Sequence, residues 1–190
     1  MRSRGRRSRF SDERGAALVE TAILIPVVIL VTFGLIEFSS AYQSSSVASA
    51  SARAGARVAS AEALLPTYAT DAAAAAATAL HTVPSSEPVE MWVYKADANG
   101  FPSSGNFTTC NTNCIKYTWL PATRLFDTAN PAGGGWPYTT QNACNQNSWD
   151  SVGVYVKLKH KFLTQLFGSS ITLADHAVFR LEPAPTQLCP

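Results

Sequence analysis

Residues 16–36 read AALVETAILIPVVILVTFGLI, and the way this run is taken decides the fold. It is twenty-one residues long and carries one charge, Glu20. A helix rises about 1.5 Å per residue, so a run of this length matches the roughly 30 Å hydrocarbon core of a bilayer. Leu, Ile, Val and Phe dominate it; only Glu20, Thr21, Pro26, Thr32 and Gly34 dilute it. It is too long for a secretory h-region, and no small-x-small cleavage site follows it. A transmembrane helix is the expectation. Pro26 has no N–H, so it would remove one backbone hydrogen bond and permit a kink.

The front edge is Arg14-Gly15-Ala16-Ala17-Leu18-Val19-Glu20. A carboxylate inside an apolar helix is expensive and marks a functional position by default. Before the run, residues 1–14 hold six Arg (2, 4, 6, 7, 9 and 14) against Asp12 and Glu13, a net charge of +4. The rest of the chain has nine Lys and Arg against eleven Asp and Glu, so the overall charge of +2 is a local matter. Such a one-sided cluster indicates a cytoplasmic N-terminus by the positive-inside rule. It does not amount to a nucleic-acid-binding domain. Arg6-Arg7 prompts a twin-arginine reading, which the length and apolarity of the span argue against.

Residues 37–65 are rich in Ala and Ser and contain no Pro; the next one is Pro66. Small residues at Ala41, Ser45, Ala48, Ala52, Gly55 and Ala59 recur every three or four positions, which places them on one helical face. Such a face lets another helix approach closely. Arg53 and Arg57 lie one turn apart on the polar side. One helix is expected from about 16 to about 64, its second half outside the membrane. After Pro66, Thr67 is a candidate N-cap for TYATDAAAAAATALH, with Asp71 near its start and Tyr68, Ala72, Ala75, Ala79 and Leu80 as the packing face.

Strands are expected at 89–96 and 114–120, with long Gly/Ser/Asn/Pro loops at 97–113 and 123–151. In 151–162, Val152, Val154, Val156, Leu158, His160 and Phe162 share one face, opposite Tyr155, Lys157, Lys159 and Lys161. That alternation describes a half-buried antiparallel strand. A last strand over 170–183 would turn Ile171, Leu173, Ala177, Phe179 and Leu181 inward. The fold class expected is α+β, a long N-terminal helix packed on a small antiparallel sheet.

No catalytic constellation is legible. His81, His160 and His176 are scattered, and Asn130-Pro131-Ala132-Gly133-Gly134-Gly135 lacks the Lys-Ser/Thr ending of a phosphate loop. No metal and no cofactor are expected. Cys110, Cys114, Cys144 and Cys189 all follow the span, on the expected exported side, where two disulfides are the ordinary use of four cysteines. Three pairings are open. Proximity in one loop favours Cys110 with Cys114, which leaves Cys144 to pin the tail through Cys189.

Gly15, followed by an apolar stretch with Glu20 at the fifth place, resembles the processing site of type IV prepilins. The longer string 14–60 resembles the TadE-like family, minor pilins or pseudopilins of tight-adherence (Tad/Flp) pilus systems. Arg14-Gly15, Leu18-Val19-Glu20, Pro26, Gly34, Glu37-Phe38 and Ala54-Gly55-Ala56-Arg57 carry that resemblance. The closing section, 152–183, also looks like the family's; residues 66–150 carry no resemblance. It implies a pilin-like, non-enzymatic protein of the bacterial cytoplasmic membrane, single-pass, with residues 1–15 a cytoplasmic leader, 16–36 the span, 37–65 the outer part of the helix and 66–190 an exported domain. It implies cutting between Gly15 and Ala16 by a prepilin peptidase, and pairing of Glu20 with the new amine of a neighbouring subunit. The implied partners are the membrane, the peptidase and other pilin subunits, with no nucleic acid and no small-molecule substrate. The rival reading is an uncleaved single-span protein serving as an envelope scaffold or secretion accessory.

Overall fold

The computed structural model describes residues 10–81, 86–145, 148–165 and 168–189, with side chains from Gly15 onward. The arginines at 2, 4, 6, 7 and 9, the side chain of Arg14 and connector residues 82–85 lie outside the described residues. The chain divides into two units, Met1–Ser39 and Ser40–Pro190. Helix α1, Phe10–Ala61, runs through both and begins earlier than the apolar run does.

In the first unit, α1 passes Pro26 without a break. The hydroxyls of Thr21 and Thr32 each donate to the carbonyl four residues back, Ala17 and Val28, at 2.7 Å, so both polar side chains are satisfied within the helix. Large apolar residues occur on every side of it. From Leu18 to Ile36 their exposure runs from 40% at Phe33 to 71% at Leu18.

The second unit is α+β. Residues 40–61 of α1 and helix α2, Tyr68–Leu80, accompany a six-stranded antiparallel sheet. Its strands are β1 Ser86–Ala96, β2 Cys114–Leu120, β3 Leu125–Phe126, β4 Ala132–Gly135, β5 Ser151–Lys161 and β6 Ser170–Arg180. The order is β3-β2-β1-β5-β6, with β4 also paired to β2. Pro88 lacks a ladder donor, and the β1–β5 register shifts between Pro88 and Glu90.

The core lies where small residues let the helices close on each other and on the sheet. Ala48, Ala52, Ala56 and Ala59 of α1 are buried with Ala72, Ala73, Ala76 and Ala77 of α2 and with Met91, Val93, Val152, Val154 and Val156 of the sheet. A β-carbon on Gly55 would stand 3.1 Å from the Ala72 carbonyl oxygen and 3.2 Å from Met91 Cε, so the helices meet at nearly backbone distance. Ser51 Oγ donates to the Ala76 carbonyl at 2.9 Å across the same seam.

Several expectations need correction in detail. Ser45 is exposed and Ser44 is buried in its place, so the seam is displaced by one residue at its start. Helix α1 ends at Ala61, before Pro66, with Leu64 in the left-handed region at φ 65° and its N–H donating to Gln141 Oε1. Thr67 makes no side-chain cap, and its carbonyl instead accepts from Asp71 N–H at 2.9 Å. The buried face of α2 is Tyr68, Ala69, Ala72, Ala73, Ala76, Ala77 and Leu80; Ala75 and Ala79 are only half-buried. Six identical alanines give no contrast from which a face can be read.

On β6, Ile171 and Phe179 stay 43% and 39% exposed. They lie on the helix-facing side, opposite His160 and Val152, but β6 is the sheet edge and no further strand flanks it. The region read as loop over 123–151 holds two short strands. Gly133, at φ +99°, and Gly134 allow β4 to lie against the Cys110–Cys114 loop, where a β-carbon on Gly134 would collide with the Asn111 carbonyl.

Candidate functional site

The residues singled out in sequence fall into two separate groups. Gly15, Ala16 and Glu20 sit on α1 in the first unit, and all three are exposed. Nothing lies within 4 Å of the place a β-carbon on Gly15 would occupy. Ala16 and Glu20 are four residues apart, hence on the same helical face one turn from each other. The surrounding run has a mean hydropathy of 2.4, long and apolar enough for a membrane span by length and composition. A helix that is apolar on all sides normally belongs inside a core or a bilayer, yet here its side chains are open.

The second group is the cysteines. Cys110 is joined to Cys114 and Cys144 to Cys189, with Cα–Cα distances of 5.3 and 5.6 Å. The first closes the root of the loop ahead of β2. The second ties the C-terminal tail to the loop ahead of β5, where Ala184 N–H also donates to the Ala143 carbonyl at 3.1 Å. Glu182 N–H reaches the Ser60 carbonyl at 3.0 Å, so the tail is stitched to the C-terminal end of α1 as well.

Sequence reasoning missed the second face of the sheet. The loop over 97–113 folds back and sets Phe107 flat on Tyr155, ring centroids 4.4 Å apart, with Trp92, Tyr94, Phe101 and His176 around it. The signal available was the alternation of Trp92 and Tyr94 with Met91 and Val93 in β1, bulky on both faces. Beside this layer, Glu90 takes Lys116 at 2.6 Å and Lys157 at 3.4 Å, a carboxylate shared by two neighbouring strands.

The three histidines stay apart. His160 is fully buried, its Nδ1 2.9 Å from Ser44 Oγ and 3.3 Å from Ser86 Oγ. Ser44 gives its own proton to the Ser40 carbonyl at 2.9 Å, so the ring nitrogen is the donor to it. His81 Nε2 lies 3.0 Å from the Arg124 carbonyl, and His176 stacks on Phe101. Among the described residues, no group of three or more His, Cys, Asp or Glu side chains is placed to hold a metal.

Burial raises four tyrosine hydroxyls, Tyr155 among them. Tyr68 and Tyr94 are raised strongly by desolvation, and Tyr117 is pushed up to about 12 by the same cause. Tyr68 donates to the Trp136 carbonyl at 2.5 Å and Tyr94 to the Gly100 carbonyl at 2.9 Å. These are structural hydroxyls that fasten loops to the core.

The family model described as TadE-like protein matches residues 15–57, nearly all of the 14–60 stretch that carries the resemblance; the closing section, 152–183, lies outside the match. Comparison with curated proteins finds no match. Comparison with solved structures finds none either.

Proposed function

We propose that this chain, TadE-like over residues 15–57, is a minor pilin or pseudopilin that contributes to assembly of a Tad/Flp-type pilus. The observation that carries the reading is the start of the match at Gly15, within α1 and directly before its apolar run, whose large side chains are open. Open apolar surface on that scale calls for a partner. A bilayer supplies one before assembly, and the helices of other subunits supply it afterwards.

In this reading a prepilin peptidase cuts between Gly15 and Ala16 on the cytoplasmic side. Gly15 suits that step in two ways. It leaves open space around the scissile bond, and glycine costs a helix about 1 kcal/mol relative to alanine, which favours the local unwinding a protease requires. Cutting removes the arginine tail and leaves Ala16 with a free amine. Glu20 then meets the amine of a neighbouring subunit, and the pairing offsets the cost of holding a carboxylate in an apolar bundle. The sheet domain, on the far side of the membrane from the leader, keeps its two disulfides. The role is structural, with no small-molecule substrate, cofactor or nucleic acid.

Terminal mass spectrometry of the protein extracted from membranes of its native host tests this. The expected N-terminal residue is Ala16, and Gly15→Trp should block cutting. Recovery of the arginine tail on essentially every molecule overturns processing and leaves an uncleaved envelope scaffold. For Glu20, the expected outcome of Glu20→Gln is unchanged membrane abundance with reduced pilus-dependent adherence; normal adherence would reduce Glu20 to a tolerated residue.

A further inference from the structure

The second unit is electrically polarised along its strands. One end is where the chain enters it: Ser44 sits 2.9 Å from His160 Nδ1 there, and Ser86 and Ile171 pair beside His160. Among the described residues this end carries Arg124, Lys159 and Lys161, with Glu87 the accompanying carboxylate, 3.1 Å from Lys161. Arg124, Lys161 and Glu87 line one open cavity of about 650 Å³ with His81 and Trp119. The opposite end is marked by Ser60 Oγ donating to the Arg180 carbonyl at 2.7 Å. It carries Glu62, Asp71, Asp97, Asp150 and Glu182 against Arg57, Lys95 and Arg180.

The basic end exposes apolar side chains as well, as the opposite end does at Leu65 and Phe179. At the basic end Leu120, Leu125 and Ile171 are part-exposed, and Leu163, just past β5, is 80% exposed. Exposed leucines among lysines are the composition of a membrane-surface element: aliphatic stems lie on the apolar boundary while ammonium groups stay at phosphate level.

We propose that this end of the domain rests on the anionic headgroup layer of the bilayer that residues 16–36 enter. The inference rests on the anchoring reading above and goes beyond it by naming a second, peripheral lipid contact. Ser44 is only eight steps along the chain from Ile36, the end of the apolar run. Those steps span about 12 Å as helix and at most about 28 Å extended, so the headgroups are within reach whatever the angle at the junction. Anionic lipid attracts basic groups held this near the surface. A second copy anchored alongside brings the same positive end to the same height, which disfavours direct pairing there.

The four native cysteines are all in disulfides, so Leu163→Cys supplies a single thiol for a fluorophore on the full chain reconstituted in vesicles. Asn99→Cys, at the exposed acidic end, serves as the control, and Ile25→Cys reports on the span itself. With headgroup spin-labelled lipid, the label at 163 should be quenched several-fold more than the label at 99. That quenching should be stronger in phosphatidylglycerol-containing vesicles than in phosphatidylcholine alone, and should fall several-fold in the Lys159→Glu/Lys161→Glu background and at raised salt. An unquenched label at 163, with the label at 25 quenched by acyl-chain spin labels, overturns the inference and leaves the anchor standing. An unquenched label at 25 removes the anchor and the inference with it. Equal quenching in both vesicle types overturns the anionic-lipid assignment. Pyrene excimers at 163 in place of lipid quenching overturn it in favour of a second copy.

Discussion

The first and second parts of α1 satisfy their apolar residues in opposite ways. Between Leu18 and Ile36 most apolar side chains are large, and each large one keeps at least 40% of its surface open. Between Ala48 and Ala63 they are small and the seam residues are buried almost completely. Large side chains on every side suit a medium that conforms to any shape, such as lipid tails or a bundle of like helices. Small ones suit a partner of fixed shape, since only they allow α2 and the sheet to close to van der Waals distance. Stability of the second unit should therefore be indifferent to the first stretch and sensitive to single carbons in the second.

Alkaline titration should separate the two parts most strongly. Tyr68, Tyr94 and Tyr117 are at most 3% exposed, and each holds its proton above the usual tyrosine value near 10. Their stabilisation is complete below pH 10 and lost as pH rises, by roughly 1.4 kcal/mol per tyrosine per unit, or about 4 kcal/mol at pH 11 for the three. Circular dichroism in detergent should show the sheet unit melting above pH 10 while the apolar helix persists. A sheet unit equally stable at pH 8 and pH 11 would contradict the burial of these hydroxyls.

The disulfides come next. Cys144–Cys189 closes a separation of 45 residues and Cys110–Cys114 one of 4. Chain entropy assigns about 4 kcal/mol to the first and about 2 kcal/mol to the second. Paired Cys→Ala substitutions, compared by denaturant unfolding, should keep that order. A reversed order would mean that the tail is held by Glu182 and Ala184 without help from the bridge.

Overpacking sharpens the contrast within one helix. Gly55→Leu should cost about 1–3 kcal/mol, because the carbonyl of Ala72 cannot retreat from the new side chain. Ile25→Leu should leave unfolding of the sheet unit unchanged, and a Gly55→Leu protein as stable as the parent would show that the seam is loose. The smallest expected difference is between two hydroxyls. Ser51→Ala should cost about 1 kcal/mol, since the Ser51 bond to Ala76 joins two helices. Thr32→Ala, which removes a bond to Val28 within one helix, should not move the same transition.

How much of this was legible beforehand follows from residue contrast. The long helix, the four principal strands and the α+β class are written in periodicity: a run apolar on every side, then alternation in β1 and β5. The face of α2 was misread at Ala75 and Ala79 because neighbouring alanines are alike. The exposure of Ile171 and Phe179 was unreadable because alternation says which residues share a face, while only the sheet order places β6 at an edge.

The candidate site divides the same way. Gly15, Ala16 and Glu20 are named by local order along the chain, and that order alone brought them to attention. The bonding of Ser44 to His160, the layer of Phe107 on Tyr155, and the gathering of Arg124, Lys159 and Lys161 at one end join residues from about 35 to more than 110 positions apart. A sequence carries composition and short-range spacing, which set each segment's conformation. Which distant segments meet depends on loop closures and packing shapes that settle only when the whole domain folds.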